Sequence, residues 1–273
     1  MSACSQGRRP AAPAAGAPPP DAPLPRTPRA LAARLAVAIR ELRAAAGDWR
    51  RQGTLRRGGP PDDVTLWALY EQRLYRRLAH RPRLARAVLA RLPRRLAPAA
   101  RDTVGALEFL FRLASRSPLR RRTPRTGAPA PAGRLLGWYR EAQRRFRVHW
   151  SVLAAVNMVE SAFGRFRSDS VAGAKGPMQF LPATWRRYGL GGDVHDPHDA
   201  ILGAAHYLHA SGAPRSYRRA LYAYNASPLY VDAVLRLARR MTRDLRDYLG
   251  YYGWQVFVRT RPGERRITGP GLG

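Results

Sequence analysis

The sequence predicts an all-α protein, on three observations. Apolar residues recur every three or four positions through successive segments between Arg29 and Met241. Prolines stand where these segments open and glycines where they stop, the usual helix punctuation. Only Tyr251, Tyr252, Trp254, Val256 and Phe257 read as a strand or extended cover, and no internal repeat is evident.

In chain order, residues 1–28 are rich in Pro, Ala and Gly and have no hydrophobic period. Such a segment buries too little surface to offset its ordering entropy, so a disordered N-terminal tether is expected. Residues 29–115 read as a basic helical region. Its first helix carries Leu31, Leu35, Ala38, Leu42, Ala45 and Trp49 on one face and ends before Gly53. After the loop Gly58-Gly59-Pro60-Pro61, Asp62 or Asp63 caps a second helix with Leu66, Trp67, Tyr70, Leu74 and Leu78 inside. Pro82 opens a third, closed by Pro93, and Pro98 opens a fourth running through Val104, Leu107, Leu110 and Phe111. Residues 116–133 form a Pro- and Arg-rich linker. A second helical part spans 134–258, followed by a tail, 259–273. Its helices are Leu135 to Phe146, then Val152 to about Phe163, Pro182 to Gly189, Asp196-Pro197 to Gly212, Pro214 to Tyr224-Asn225, and a long one from Pro228.

The formal charge is +31. Residues 1–150 hold 32 Arg against 9 acids, so the excess lies in the first half. An anionic partner and a mere coding bias toward Arg, Ala and Pro both account for this. The helical region itself reads as a solvated scaffold in preference to an anionic-surface binder, because charged outer faces are ordinary on amphipathic helices. No base-reading motif is present, so no nucleic-acid partner is expected. No run of about 18 apolar residues exists to span a membrane. The single cysteine, Cys4, excludes an intramolecular disulfide. The N-terminus carries no conventional signal peptide, yet Met1-Ser2-Ala3-Cys4 resembles the end of a lipobox. Lipidation at Cys4, from a start further upstream, is the expectation set against a chance cysteine in the tail.

The chemistry concentrates in Val152 to Phe180. Val152, Leu153, Val156 and Val159 make a helical apolar stripe, and Glu160 follows at its end, with Phe163 and Gly164 expected to terminate the helix. A carboxyl among Met158, Val159 and Phe163 should resist ionisation. An acid still protonated near neutrality is what glycosidic cleavage requires. Gly173 and Gly176 bracket a turn where backbone can approach a ligand, and the Gln179 amide can both donate and accept. Taken alone, Glu160 reads first as a satisfied side chain at a buried helix end, because such groups far outnumber catalytic ones.

The combination is more specific. Glu160-Ser161, Ala172-Gly173-Ala174, Gly176-Pro177-Met178-Gln179-Phe180 with Pro182-Ala183-Thr184, and Ala223-Tyr224-Asn225 follow one another in that order. They resemble the motifs of SLT-type lytic transglycosylases, over about Trp150 to Arg240, in wording similar to the subgroup of actinobacterial cell-wall enzymes. The resemblance implies a lysozyme-like (goose-type) helical catalytic domain within 134–258, acting outside the cytoplasm on peptidoglycan glycan strands without cofactor or metal. It implies Glu160 as the catalytic acid, then base. Ser161, Gly176, Met178, Gln179, Phe180, Tyr224 and Asn225 would form the sugar site, with the Tyr224 hydroxyl on the Glu160 carboxyl. Asn225-Ala226-Ser227 departs from the more usual Asn-Ala-Gly.

Competing readings remain open. A hydrolytic muramidase of the same fold needs a second carboxylate or a positioned water. Asp169 reads as a solvated turn residue and Asp196 as a helix cap. His195 and His198 in a loop, with His206 and His209 on a helix, fall short of a convergent metal-ligand set.

Overall fold

The computed structural model describes residues 16–115, 119 and 123–272. Cys4 lies outside the described residues. Eleven α-helices and one β-hairpin are present among them.

Helix α1 (Pro28–Arg51) starts where the Thr27 hydroxyl accepts the Ala30 N–H, with Pro28 at its first position. Its buried face is the expected stripe from Leu31 to Trp49. Helix α2 (Asp62–Ala79) packs along it. Pro61, not Asp62 or Asp63, is the N-cap; both acids sit in the first turn, where they face the positive end of the helix dipole. Helix α3 (Pro82–Leu89) follows, and α4 (Ala97–Ser115) packs extensively along α10 (Pro228–Arg243).

Helix α5 (Ala132–Phe146) leads to α6 (Trp150–Ser161). Residues 151–157 of α6 are all buried, as befits a helix apolar nearly all round, and α5, α8, α10 and α11 enclose it. The short α7 (Pro182–Tyr188) ends at Gly189 as expected. In α8 (Pro197–Ala210) the Asp196 carboxylate accepts the N–H groups of His198 and Asp199, the predicted cap. Helix α9 (Tyr217–Tyr224) begins three residues later than Pro214, because the Ser216 hydroxyl caps it by accepting the Arg219 N–H.

One expectation for the C-terminus is corrected. Tyr251 and Tyr252 belong to a helix, α11 (Leu245–Tyr252), capped by Asp244. The tail after 258 is ordered by antiparallel pairing of β1 (Phe257–Thr260) with β2 (Gly263–Arg266). Nor do residues 16–27 run free as a tether. Arg73 donates to the Pro20 and Ala22 carbonyls at 2.9 Å, and Arg77 to that of Leu24, laying this stretch against α2.

The helical region before residue 115 does not stand apart from the rest. One hydrophobic core runs from Leu31 to Trp254 through both. Polar ties cross the seam. Thr103 and Tyr251 share a hydroxyl bond of 2.7 Å, and Asp102 takes Arg236 and Arg239 at 3.2 and 3.1 Å. Gln72 and Gln255 exchange two bonds of 2.8 Å, the amide of one side chain and the backbone of the other. The linker closes against the same body: Tyr248 and Tyr252 donate to the Ala132 and Ala130 carbonyls.

Candidate active site

Glu160 lies in the last turn of α6. The helix stops immediately after it because three consecutive residues, Ala162, Phe163 and Gly164, take left-handed backbone conformations. Two of the three have side chains, so the reversal comes earlier than the glycine expected to cause it. Such residues persist only where their surroundings hold them. Phe163 is held by its ring, which packs edge-on to Tyr248 and against Tyr252.

A buried polar network clamps the following loop to α6. Tyr139 donates to Asn157 Oδ1 at 2.6 Å, and Asn157 Nδ2 donates to the Pro177 carbonyl at 2.8 Å. Ser161 Oγ donates to the same carbonyl at 2.5 Å and accepts the Gly164 N–H at 2.8 Å. Ser161 is 2% exposed, and its hydroxyl is spent on shaping the loop. Asn157, one turn before Ser161, had no place among the expected site residues. Its signal was a lone amide inside an otherwise apolar helix, which in a buried setting requires partners.

The loop itself is a tight ladder: Lys175 and Phe180 exchange backbone bonds of 2.8 and 2.9 Å. Gly176 has φ +72°, and a Cβ there would lie 1.8 Å from the Val194 carbonyl oxygen, so only glycine fits. Gln179, at φ +50°, folds its amide back onto the Gly176 carbonyl and presents itself to the cavity beside Glu160. Met178 and Phe180 are buried in the core and do not line the cavity beside Glu160, where they were expected. Asn225 does face the cavity. The serine that follows it is accommodated because Ser227 has φ −133°, extended backbone that does not require glycine.

The hydroxyl on Glu160 belongs to Tyr230, not Tyr224. Tyr230, on α10, donates to Glu160 Oε1 at 2.7 Å, whereas Tyr224 donates to the Met178 carbonyl at 2.6 Å and stacks parallel to the Tyr230 ring. Tyr224 thus supports both the loop and the tyrosine that holds the acid. Burial pushes the Glu160 carboxyl up to about 7, and the bond from Tyr230 restrains that rise.

The carboxyl opens on a cavity of about 1110 Å³. Met158, Val159, Gln179, Asn225 and Tyr230 line it near the acid. Its opposite wall comes from α2, α4 and the C-terminal hairpin, and includes a second carboxylate, Glu108. Elsewhere, Asp196, His198 and Asp199 approach within 4.8 Å of one another. These groups are engaged in other bonds: Asp196 caps α8, and His198 Nε2 lies 3.1 Å from both oxygens of Glu141. His206 packs on Phe146 and Tyr188.

No helix among the described residues is long and apolar enough to cross a membrane. Comparison with the curated proteins and with the solved structures gives no match. Among family models, the Transglycosylase SLT domain matches residues 138–245. That span holds Glu160, the clamped loop and Tyr230, while Glu108 and the hairpin lie outside it. Residues 138–245 thus match an SLT transglycosylase domain, and the all-α architecture is consistent with a lysozyme-like fold, with further helices on either side of the matched segment.

Proposed function

We propose that the protein is a peptidoglycan lytic transglycosylase in which Glu160 serves first as acid and then as base. The observation that carries the reading is a single carboxyl, lifted to about 7 and hydrogen-bonded by Tyr230, at the wall of a cavity large enough for a glycan strand. Its proton passes to the oxygen joining N-acetylmuramic acid to N-acetylglucosamine, and the C1–O bond breaks. The N-acetyl group of the substrate stabilises the positive charge that develops at C1. Glu160, now a carboxylate, removes the proton of the muramoyl C6 hydroxyl as that oxygen closes on C1. The product is a 1,6-anhydro sugar, the other end is a free hydroxyl, and Glu160 regains its proton with no water consumed. A group titrating near ambient pH can play both parts. Tyr230 fixes the carboxyl's orientation; Gln179 and Asn225 offer amides to the sugar.

Glu108 favours a second reading, hydrolysis, which needs another carboxylate in the same cavity. Digestion of purified sacculi, with products read by mass, separates the two. Anhydro ends that persist in Glu108→Gln protein are expected; reducing ends that vanish in that variant would establish hydrolysis instead. A substrate in the wall sets the site of action outside the cytoplasm. Anchoring through a lipidated Cys4 and adhesion of the basic half to anionic wall polymers agree with that location, and mass spectrometry of the native N-terminus tests the first.

A further inference from the structure

Arg165 follows directly on the three left-handed residues that end α6. It is 5% exposed, and no carboxylate pairs with it among the described residues. Arg240, buried to a similar degree, is paired with Asp247. Burial lowers the Arg165 pKa, and only the Tyr252 and Tyr248 hydroxyls oppose the shift. A guanidinium keeps its charge nonetheless, and a buried charge is ordinarily paired.

The surroundings use only part of what this side chain offers. Its Nη1 donates to the Ala162 carbonyl at 3.2 Å, and the guanidinium lies 4.9 Å from the centre of the Tyr252 ring. Nε and Nη2 have no acceptor among the described residues, and neither is sealed from solvent. These two nitrogens form the side-on edge of the guanidinium, whose parallel N–H groups match the two oxygens of one carboxylate.

Arg165 lines a cavity of about 390 Å³, distinct from the one at Glu160 and sharing only Gln255 with it. That volume falls in the roughly 300–1,000 Å³ typical of small-molecule sites. Ala128, Pro129, Ile267 and Leu272 give it apolar surface, and Leu272 is left 47% exposed. Among the described residues, no acid lines it. The Gln255 and Thr268 side chains are already committed: Thr268 Oγ1 donates to Gln255 Oε1 at 3.0 Å, and Gln255 Nε2 to the Gly253 carbonyl at 2.8 Å. Arg167 donates to the Ala128 carbonyl and adds positive charge beside the cavity. A sugar would find too few free polar groups here, and a phosphate would press further charged oxygens against the apolar lining. One carboxylate on a short hydrocarbon chain satisfies both parts.

We infer that this cavity is a binding site for a small organic carboxylate, held side-on by Arg165 with its hydrocarbon part against Ile267 and Leu272. Tyr252, under the guanidinium, also packs against Phe163 at 5.7 Å, so a filled site steadies the turn that follows Glu160. Binding here does not depend on the reaction proposed at Glu160.

The test titrates isotopically labelled full-length protein at fixed ionic strength and follows the Arg165 Nε–H resonance, assigned through its own backbone. The probes are 4-methylpentanoate, its neutral amide, acetate and inorganic phosphate. The branched carboxylate should shift the resonance saturably and raise the melting temperature. Acetate, lacking the chain, should bind about tenfold more weakly, and the amide should not bind. Arg165→Lys keeps the charge but loses the fork, and should weaken binding about tenfold. Leu272→Asp, at an exposed position that should not disturb folding, should do the same; if Arg165→Lys fails to fold, this variant and the wild-type resonance decide. A shift that does not saturate, equal shifts from carboxylate and amide, or unchanged binding in Leu272→Asp overturns the site. Tighter binding of phosphate than of 4-methylpentanoate overturns the assignment to carboxylates.

Discussion

Two glutamic acids inside this protein have raised pKa values, and they differ in what they face. Glu71, on α2, is 7% exposed; burial and then the nearby Asp247 push it up to about 8. The void beside it measures about 20 Å³ and is closed by Arg43, Tyr75, Arg240 and Asp247. That is little more than the 10–15 Å³ a single water needs. Glu160 is lifted to about 7 by the same cause, but it opens on about 1110 Å³ and has a tyrosine fixing one oxygen. A proton held near neutrality is therefore common to both, and only one of them can deliver it to a substrate. Perturbation marks a candidate; access and orientation decide its use.

Substitution breaks the comparison most sharply. Glu160→Gln should lower the rate of sacculus digestion by 10³-fold or more while leaving the fold intact; Glu71→Gln should leave the rate within about threefold of wild type. Equal losses in the two variants would mean that the open cavity does not distinguish these acids. Next in size is Tyr230→Phe, expected to cost about tenfold in kcat. Its bond favours the ionised carboxyl, so its loss should raise the Glu160 pKa. The limb of the pH–rate profile where activity falls, near pH 7 in wild type, should move upward; an unmoved limb would show that Tyr230 does not govern this titration.

The smallest effects are on stability, and here the two acids should behave alike. Each has a folded-state pKa above the unfolded value of 4.5. Below pH 4.5 both states hold the proton and nothing is lost. As pH rises, the unfolded chain ionises first, so the native state loses ground up to about pH 7 for Glu160 and about pH 8 for Glu71, and no further beyond. Glutamine removes this penalty. Both variants should melt higher than wild type at pH 8.5 and equally with it at pH 4, by something on the order of 1–3 kcal/mol. A gain at pH 4 as large as at pH 8.5 would exclude the linkage.

What the sequence disclosed follows from what each feature depends on. The stripes of α1, α2, α8 and α10 are local and periodic, and so were legible. Glu160 was legible from its place at the end of an apolar helix. Its partner was not. Tyr224 and Tyr230 lie six residues apart, on different helices, and only the packing of α10 against α6 brings the second to the carboxyl. Met178 and Phe180 lie away from the cavity for a related reason: motif residues beside a site can serve by holding its loop. Helix α11 was missed because a Tyr- and Trp-rich stretch matches strand preferences, which burial against α1 and α6 overrides. The wall facing Glu160 was beyond reach, since no local pattern in α4 or the hairpin announces a distant neighbour.

That wall has a practical consequence. A piece of the protein cut at residues 138–245 would keep the acid, its tyrosine and its loop but lose the side of the cleft opposite them, and α10 would expose to water the face that α4 now covers. The functional unit and the recognisable unit are thus different lengths of chain. Transplanting the shorter one into another protein would carry over the raised carboxyl without the wall that shares its cavity.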